Sequence, residues 1–247
     1  MTTQISTHSN ANSQKTLQIH LLSGGAAQGL VTQLKNRFQA EHACSMTDTY
    51  GAVGMMKDSL LSGTPCDVLI LTEALIAQLV VSKNLVQGSE KTVGIVMTGI
   101  ATKTGDKAPD ASSPAALKAT LQAASGIYFP DPVKATAGIH FMKVLQQLGL
   151  VEELADRLRP FPNGAAAMKA MAQTNEPGMV GCTQITEILY IEGVSLIAPL
   201  PKEFDLATIY TAAICTRSTQ PEAARALIDL LVSADTAALR LACGFEL

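Results

Sequence analysis

At 247 residues, with 47% hydrophobic and 16% charged side chains, the chain can bury the core of one large domain or two small lobes, which excludes a disordered polypeptide. A net charge of −3 without a basic run argues against a nucleic-acid partner, and the lack of Trp, with four Tyr and six Phe, leaves little for a sugar to stack on. The five cysteines show no CxxC spacing and no apolar run reaches the length of a membrane span, so we expect buried thiols in a reducing compartment, no metal site, no cofactor and no membrane span.

Residues 1–15, MTTQISTHSNANSQK, are polar and lack the apolar core of a secretory signal. Residues 1–16 are expected to form a disordered tail, and the chain as it stands is expected in the cytoplasm; a misassigned start would move that expectation to the periplasm. Leu17, Ile19 and Leu21 then alternate with Gln18 and His20 as in a strand, the chain breaks at Ser23-Gly24-Gly25, and Leu30, Val31, Leu34 and Phe38 recur at helical spacing. A strand that turns through two glycines into a helix aims that helix's first N–H groups, and the positive end of its dipole, past the sheet edge, where an anion can sit. Close packing of helix on strand asks for the same glycines, and both readings stay open here. The stretch SMTDTYGAVG, residues 45–54, repeats the arrangement with a short extended segment, the turn Gly51-Ala52-Val53-Gly54, and a helix carrying Met55, Met56, Leu60 and Leu61 that Gly63 closes. A buried strand over 66–71 and a helix over 73–81 follow, so the sheet should be mostly parallel and covered by helices.

Residues 93–104 make a long β-prone run. The loop after it, 105–114, is rich in Gly, Pro, Asp and Ser and reads as a lobe junction or hinge surface. Ser113 and Pro114 open a helix over 115–124. A strand over 126–129 leads through the small-residue turn 131–138 into a helix over 139–148. Asn163 caps a helix over 165–173, 179–182 is a strand, and 183–190 a helical turn. Extended segments at 194–199 and 206–215 follow, then a helix at 221–231, and residues 235–243 close the chain.

Several of these strings together resemble the type II periplasmic-binding-protein family. They are LSGGAAQGL near the start, GTPCDVLIL at 63–71, YFPDPVKATAGIHFMKVLQQLGL at 128–150, GMVGCTQITEIL at 178–189, and QPEAARALIDLLVSADTAALRLACGF at 220–245. The branch resembled is the one of molybdate-binding proteins of ABC importers, which also includes an aconitate isomerase. The resemblance runs from about Leu17 to the C-terminus. It implies an α/β architecture of two Rossmann-like lobes joined by two crossover strands, with lobe one at 17–96 plus 206–247 and lobe two at 97–205, and a ligand held between them. Molybdate binders usually place a serine in each of the first two turns and a tyrosine in the fourth region. Here Gly25 and residues 52–54 occupy the first two, with Ser23 and Thr49 nearby, and Gln184 the last, so backbone N–H groups would do more of the binding. These suit a carboxylate as well as an oxyanion.

The candidate ligand-binding residues are Ser23, Gly24, Gly25, Gly51, Ala52, Lys134, Thr136 and Gln184. Thr136 can equally cap the helix that follows it, and Lys134 can equally be a solvated lysine. His140, in the first turn of that helix, and Glu187 are candidate bases only if the site moves a proton; otherwise they are a surface histidine and a solvated helix-terminus carboxylate. Asp131 before Pro132 most simply forms a turn. No Ser/His/Asp or Cys/His order and no P-loop or GxGxxG string is present. The expected function is closure of two lobes over a small anion, a carboxylate or molybdate-like oxyanion. The alternative is a cytosolic isomerase on the same fold, interconverting cis- and trans-aconitate or a similar tricarboxylate by a 1,3-proton shift. A monomer is expected, with an ABC permease as partner only if the chain is exported.

Overall fold

In the computed structural model, which describes residues 17–247, the alternation that begins at Leu17 grows into an eight-residue strand, β1 (Leu17–Gly24). The 3-10 turn Gly25–Ala27 joins it to α1 (Gln28–Glu41), whose buried stripe is Leu30, Val31, Leu34 and Phe38. The tail expected over 1–16 lies outside the described residues. β2 (Cys44–Gly51) runs parallel to β1 with Gly24 opposite Gly51, so both strands end at the same edge. α2 (Val53–Leu61), β3 (Val68–Thr72) and α3 (Glu73–Val81) continue the alternation.

β4 (Lys91–Lys103) is a thirteen-residue strand that serves both lobes. After it come α4 (Pro114–Ala123), β5 (Gly126–Pro130), α5 (Thr136–Gln147), β6 (Leu158–Phe161), α6 (Gly164–Gln173), β7 (Met179–Gln184), α7 (Ile185–Tyr190) and β8 (Val194–Pro199). The chain ends with β9 (Ala207–Ile214), α8 (Pro221–Val232) and α9 (Ala237–Ala242). The strand order is β2-β1-β3-β9-β4-β7-β5-β6, with β8 also on β4. Up to Met97, β4 pairs with β9; from Thr98 onward it pairs with β7 and β8. The result is the two-lobed α/β fold, with a mixed sheet where a mostly parallel one is expected. Pairing is parallel among β1, β2 and β3 and among β5, β6 and β7. It is antiparallel wherever β4 or β9 takes part.

Each lobe has its own core. Leu21, Leu69 and Ile70 of the first sheet half pack with Leu30, Phe38 and Leu227. Ile100, Ile127 and Phe129 pack with Leu117, Phe141 and Leu150 in the second, and Met168, Met171 and Met179 make a smaller cluster beside them. In the loop after β4, Asp110 O accepts from Thr120 Oγ1, which ties that loop to α4. β4 continues six residues past Met97 before that loop begins. All five cysteines are buried free thiols. Among the described residues no helix is long and apolar enough to cross a membrane, and no group of three or more His, Cys, Asp or Glu could hold a metal.

Candidate functional site

Strands β1, β2, β5 and β7 all end at the face where the lobes meet, and each hands over to a helical turn there. The carboxyl ends of strands in an α/β sheet are the usual place for a ligand. The cavity between them is lined by Gly25, Gly51, Ala52 and Val53 from the first lobe, by Pro130, Ala135, Thr136, Ala137, Asn163, Gly164, Gln184 and Glu187 from the second, and by Tyr210 of β9. Its volume is about 20 Å³, room for a single water molecule, so the lobes stand closed. The N-termini of α2, α5 and α6 and the Gly25–Ala27 turn all border it, and the first N–H groups of a helix have no partner within the helix. Asn163 caps α6, its Oδ1 accepting from Ala166 N at 2.8 Å.

Glu187 occupies the centre of this arrangement and is only 5% exposed. Thr183 Oγ1 donates to its Oε2 at 2.6 Å, and the nearby backbone N–H groups of Gly164, Ala165 and Gln184 favour its charged form. Burial pushes the carboxyl above its ordinary range, with those four donors pulling the other way. Two glycines make room for it: a Cβ on Gly25 would collide with Oε1, and one on Gly164 would collide with Oε2 and with Thr183 Oγ1. The carboxyl of a second-lobe residue thus lies against a first-lobe backbone. Tyr210 is buried beside it, its phenol pushed up by burial and by the Glu187 charge. Gln184 is 2% exposed; its Nε2 donates to Thr208 Oγ1 at 3.5 Å, while its Oε1 has no partner among the described residues.

The sequence candidates separate. Gly25, Gly51, Ala52, Thr136, Gln184 and Glu187 meet at the cavity, although Thr136 is the first residue of α5 and does not cap it; the N-cap is Ala135, without a side-chain bond. Ser23 does not line it: its hydroxyl donates to Gly24 O at 2.8 Å, and Gly24 packs on Val53 and Tyr210. Thr49 is exposed in β2. Lys134 lies outside, where its Nζ meets Asp58 Oδ2 at 2.7 Å across the lobes and its carbonyl accepts from Gly54 N at 3.1 Å. The Asp58 pair holds the Lys134 ammonium above, and the Asp58 carboxyl below, their ordinary ranges. Asp131 forms the turn before it, accepting from Val133 N and Lys134 N. His140 is the fifth residue of α5, its Nε2 2.7 Å from Phe204 O, and borders an adjoining groove of about 560 Å³ with Lys57, Lys134 and Lys143, which shares Val53 and Thr136 with the cavity. The cavity residues that the sequence did not single out as binding are Val53, Pro130, Ala135, Ala137, Asn163, Gly164 and Tyr210.

The family described as bacterial extracellular solute-binding protein matches residues 19–246. Aconitate isomerase of Pseudomonas sp is 25% identical over 236 residues, covering 91% of this chain and 86% of that protein. Among solved structures, the periplasmic molybdate-binding protein of Azotobacter vinelandii superposes with a TM-score of 0.78 at 17% identity, over 93% of this chain and 99% of that one. The sulfate-binding protein of Mycobacterium tuberculosis H37Rv gives 0.73 at 14% identity, over 93% and 86%.

Proposed function

The chain belongs to the bacterial extracellular solute-binding protein family, and from that premise we propose that its interlobe cavity opens to take a small anion, a carboxylate or a molybdate-like oxyanion, and closes over it. The observation that carries this reading is the convergence of helix N-termini from both lobes on one cavity. The α6 terminus already faces a carboxyl, that of Glu187, whose charged form the N–H groups of Gly164 and Ala165 favour. The same reading divides the chain into 17–96 plus 206–247 and 97–205, supported by the change of partner along β4 after Met97.

Glu187 also supports a second reading, an isomerase of a tricarboxylate such as aconitate, in keeping with the curated relative. A bare anion receptor has no use for a carboxylate at its centre, whereas a 1,3-proton shift needs a base. In that reaction the base takes a proton from the methylene carbon, the double bond moves one position along, and the proton returns to the former alkene carbon. A carboxyl whose pKa is raised by burial is better matched to such a proton than an exposed one. Glu187, which lines the cavity itself, is the base this reading names first; His140 borders the adjoining groove, which shares Val53 and Thr136 with the cavity.

The test is a thermal-shift panel of molybdate, tungstate, sulfate, phosphate, citrate, and cis- and trans-aconitate, with NMR of each hit over time. A ligand at 100 times its Kd stabilises by about 2.7 kcal/mol. A shift without turnover supports the receptor and rejects the isomerase. Turnover of aconitate that falls by roughly 100-fold or more in Glu187→Gln, with binding retained, supports the isomerase. No shift with any of the panel rejects both.

A further inference from the structure

Cys66 and Cys215 stand 149 positions apart in the sequence and bring their sulfurs to 3.1 Å. Cys66 leads into β3 and Cys215 follows β9, and Cys215 N donates to Asp67 O at 3.0 Å. Each is the last buried residue before an exposed turn, residues 61–65 on one side, Thr216 and Arg217 on the other. The Asp67 carboxylate anchors the second turn by accepting from Ser218 Oγ at 2.7 Å and Thr219 N at 3.1 Å. The remaining thiols lie in other elements: Cys44 opens β2, Cys182 is within β7, and Cys243 follows α9 beside Gln33.

We propose that Cys66 and Cys215 are a disulfide site, closed when the chain folds in the presence of a small-molecule or protein disulfide as oxidant. One thiol loses its proton and attacks the oxidant's disulfide, releasing one thiol from it. The second then loses its proton and attacks the mixed disulfide, releasing the other. Two S–H bonds break and one S–S bond forms; two electrons and two protons leave with the oxidant, which departs as two thiols. Timing follows from the surroundings. The hydrogen bond to Cys66 and burial hold the Cys215 thiol far above its ordinary range, so the folded, reduced protein presents little thiolate to an oxidant. The bond therefore forms during folding or when the two turns open, and the nearby Arg217 guanidinium then favours the thiolate. Both sulfurs belong to the first core, so the bond stiffens one lobe and leaves the lobes free to part.

The experiment unfolds the full chain and refolds it in oxidised or in reduced glutathione, followed by non-reducing peptide mapping and calorimetry. One linked peptide pair, carrying Cys66 and Cys215, is expected in the oxidised sample, with a Tm about 10 °C above the reduced one for a loop of this length. Cys66→Ala and Cys215→Ala each abolish the link and the oxidation-dependent rise; the triple change Cys44→Ala, Cys182→Ala and Cys243→Ala keeps both. Five free thiols in an oxidatively refolded chain overturn the proposal, as does a link through any of the other three cysteines. Refolding that succeeds only under reduction overturns it too. The wild-type map decides the matter even where a variant does not fold.

Discussion

Glu187 is a carboxyl bonded by one hydroxyl, with three backbone N–H groups nearby that favour its charge, in a place water barely reaches. Burial outweighs those donors, and the sign of the consequence is fixed. As pH rises, the unfolded chain ionises this group first, near 4.5, while the folded protein keeps its proton to higher pH. The contribution of Glu187 to stability is therefore complete below that pH and is lost as pH rises through the native pKa. Glu187→Gln removes the dependence. In urea titrations over a pH series, the midpoint of the wild type should fall relative to the variant from about pH 4.5 upward; parallel profiles would contradict the assignment. The glycines around it give a second test. Gly164→Ala forces a methyl into Oε2 and Thr183 Oγ1 and should cost about 1–3 kcal/mol. Adding Glu187→Ala should recover part of that loss, and strictly additive costs would show that the carboxyl is not what the glycine accommodates.

At the scale of elements, α6 shows how a local sequence rule builds a site. Asn163→Ala should destabilise the protein by about 1 kcal/mol, read as a lower urea midpoint with an unchanged slope. Asn163 was legible as a cap, as was the Ser113 cap with Pro114 at the first position of α4, because a cap needs only neighbours a few residues away. The helical stripes were legible for the same reason. β6 was not: Leu158-Arg159-Pro160-Phe161 has no alternation, and its proline is tolerated only because the strand pairs with β5 alone at the sheet edge. The early start of α5, at Thr136, was also hidden, since Gly138 argues against helix by propensity. Gly138 is there for closeness, because a Cβ would run into the carbonyls of Pro130 and Asp131. The site was half legible. Its glycines and Gln184 sit in turns that composition marks, whereas Tyr210 arrives from the far end of the chain in a strand with nothing local to single it out. Lys134 and His140 carry the right chemistry, but the turn after β5 faces them outward, to Asp58 and to Phe204.

At the scale of the molecule, the contacts that cross between the lobes include Gly54 N to Lys134 O, the Lys134–Asp58 pair, Gln184 to Thr208, the packing of Tyr190 on Gly29, and the seat of Glu187 against Gly25. The ion pair is exposed, so salt screens it. Asp58→Ala should leave thermal stability nearly unchanged yet increase the small-angle scattering radius of the unliganded protein, and about 1 M salt should move the wild type the same way. Equal radii in all three cases would show that this pair does not hold the lobes. The change of partner along β4 then has a consequence for how a ligand arrives. Thr98 is the first residue of that strand to pair with the second lobe, and the residue opposite it is Gln184. Gln184 therefore stands at the pivot and sweeps through little space however wide the lobes swing, while the starts of α2 and α5, carried by different lobes, part company. On the proposed receptor reading, the open molecule presents one half of its contacts already in position, and association becomes a concentration-dependent landing followed by a closure whose rate ignores how much ligand is present.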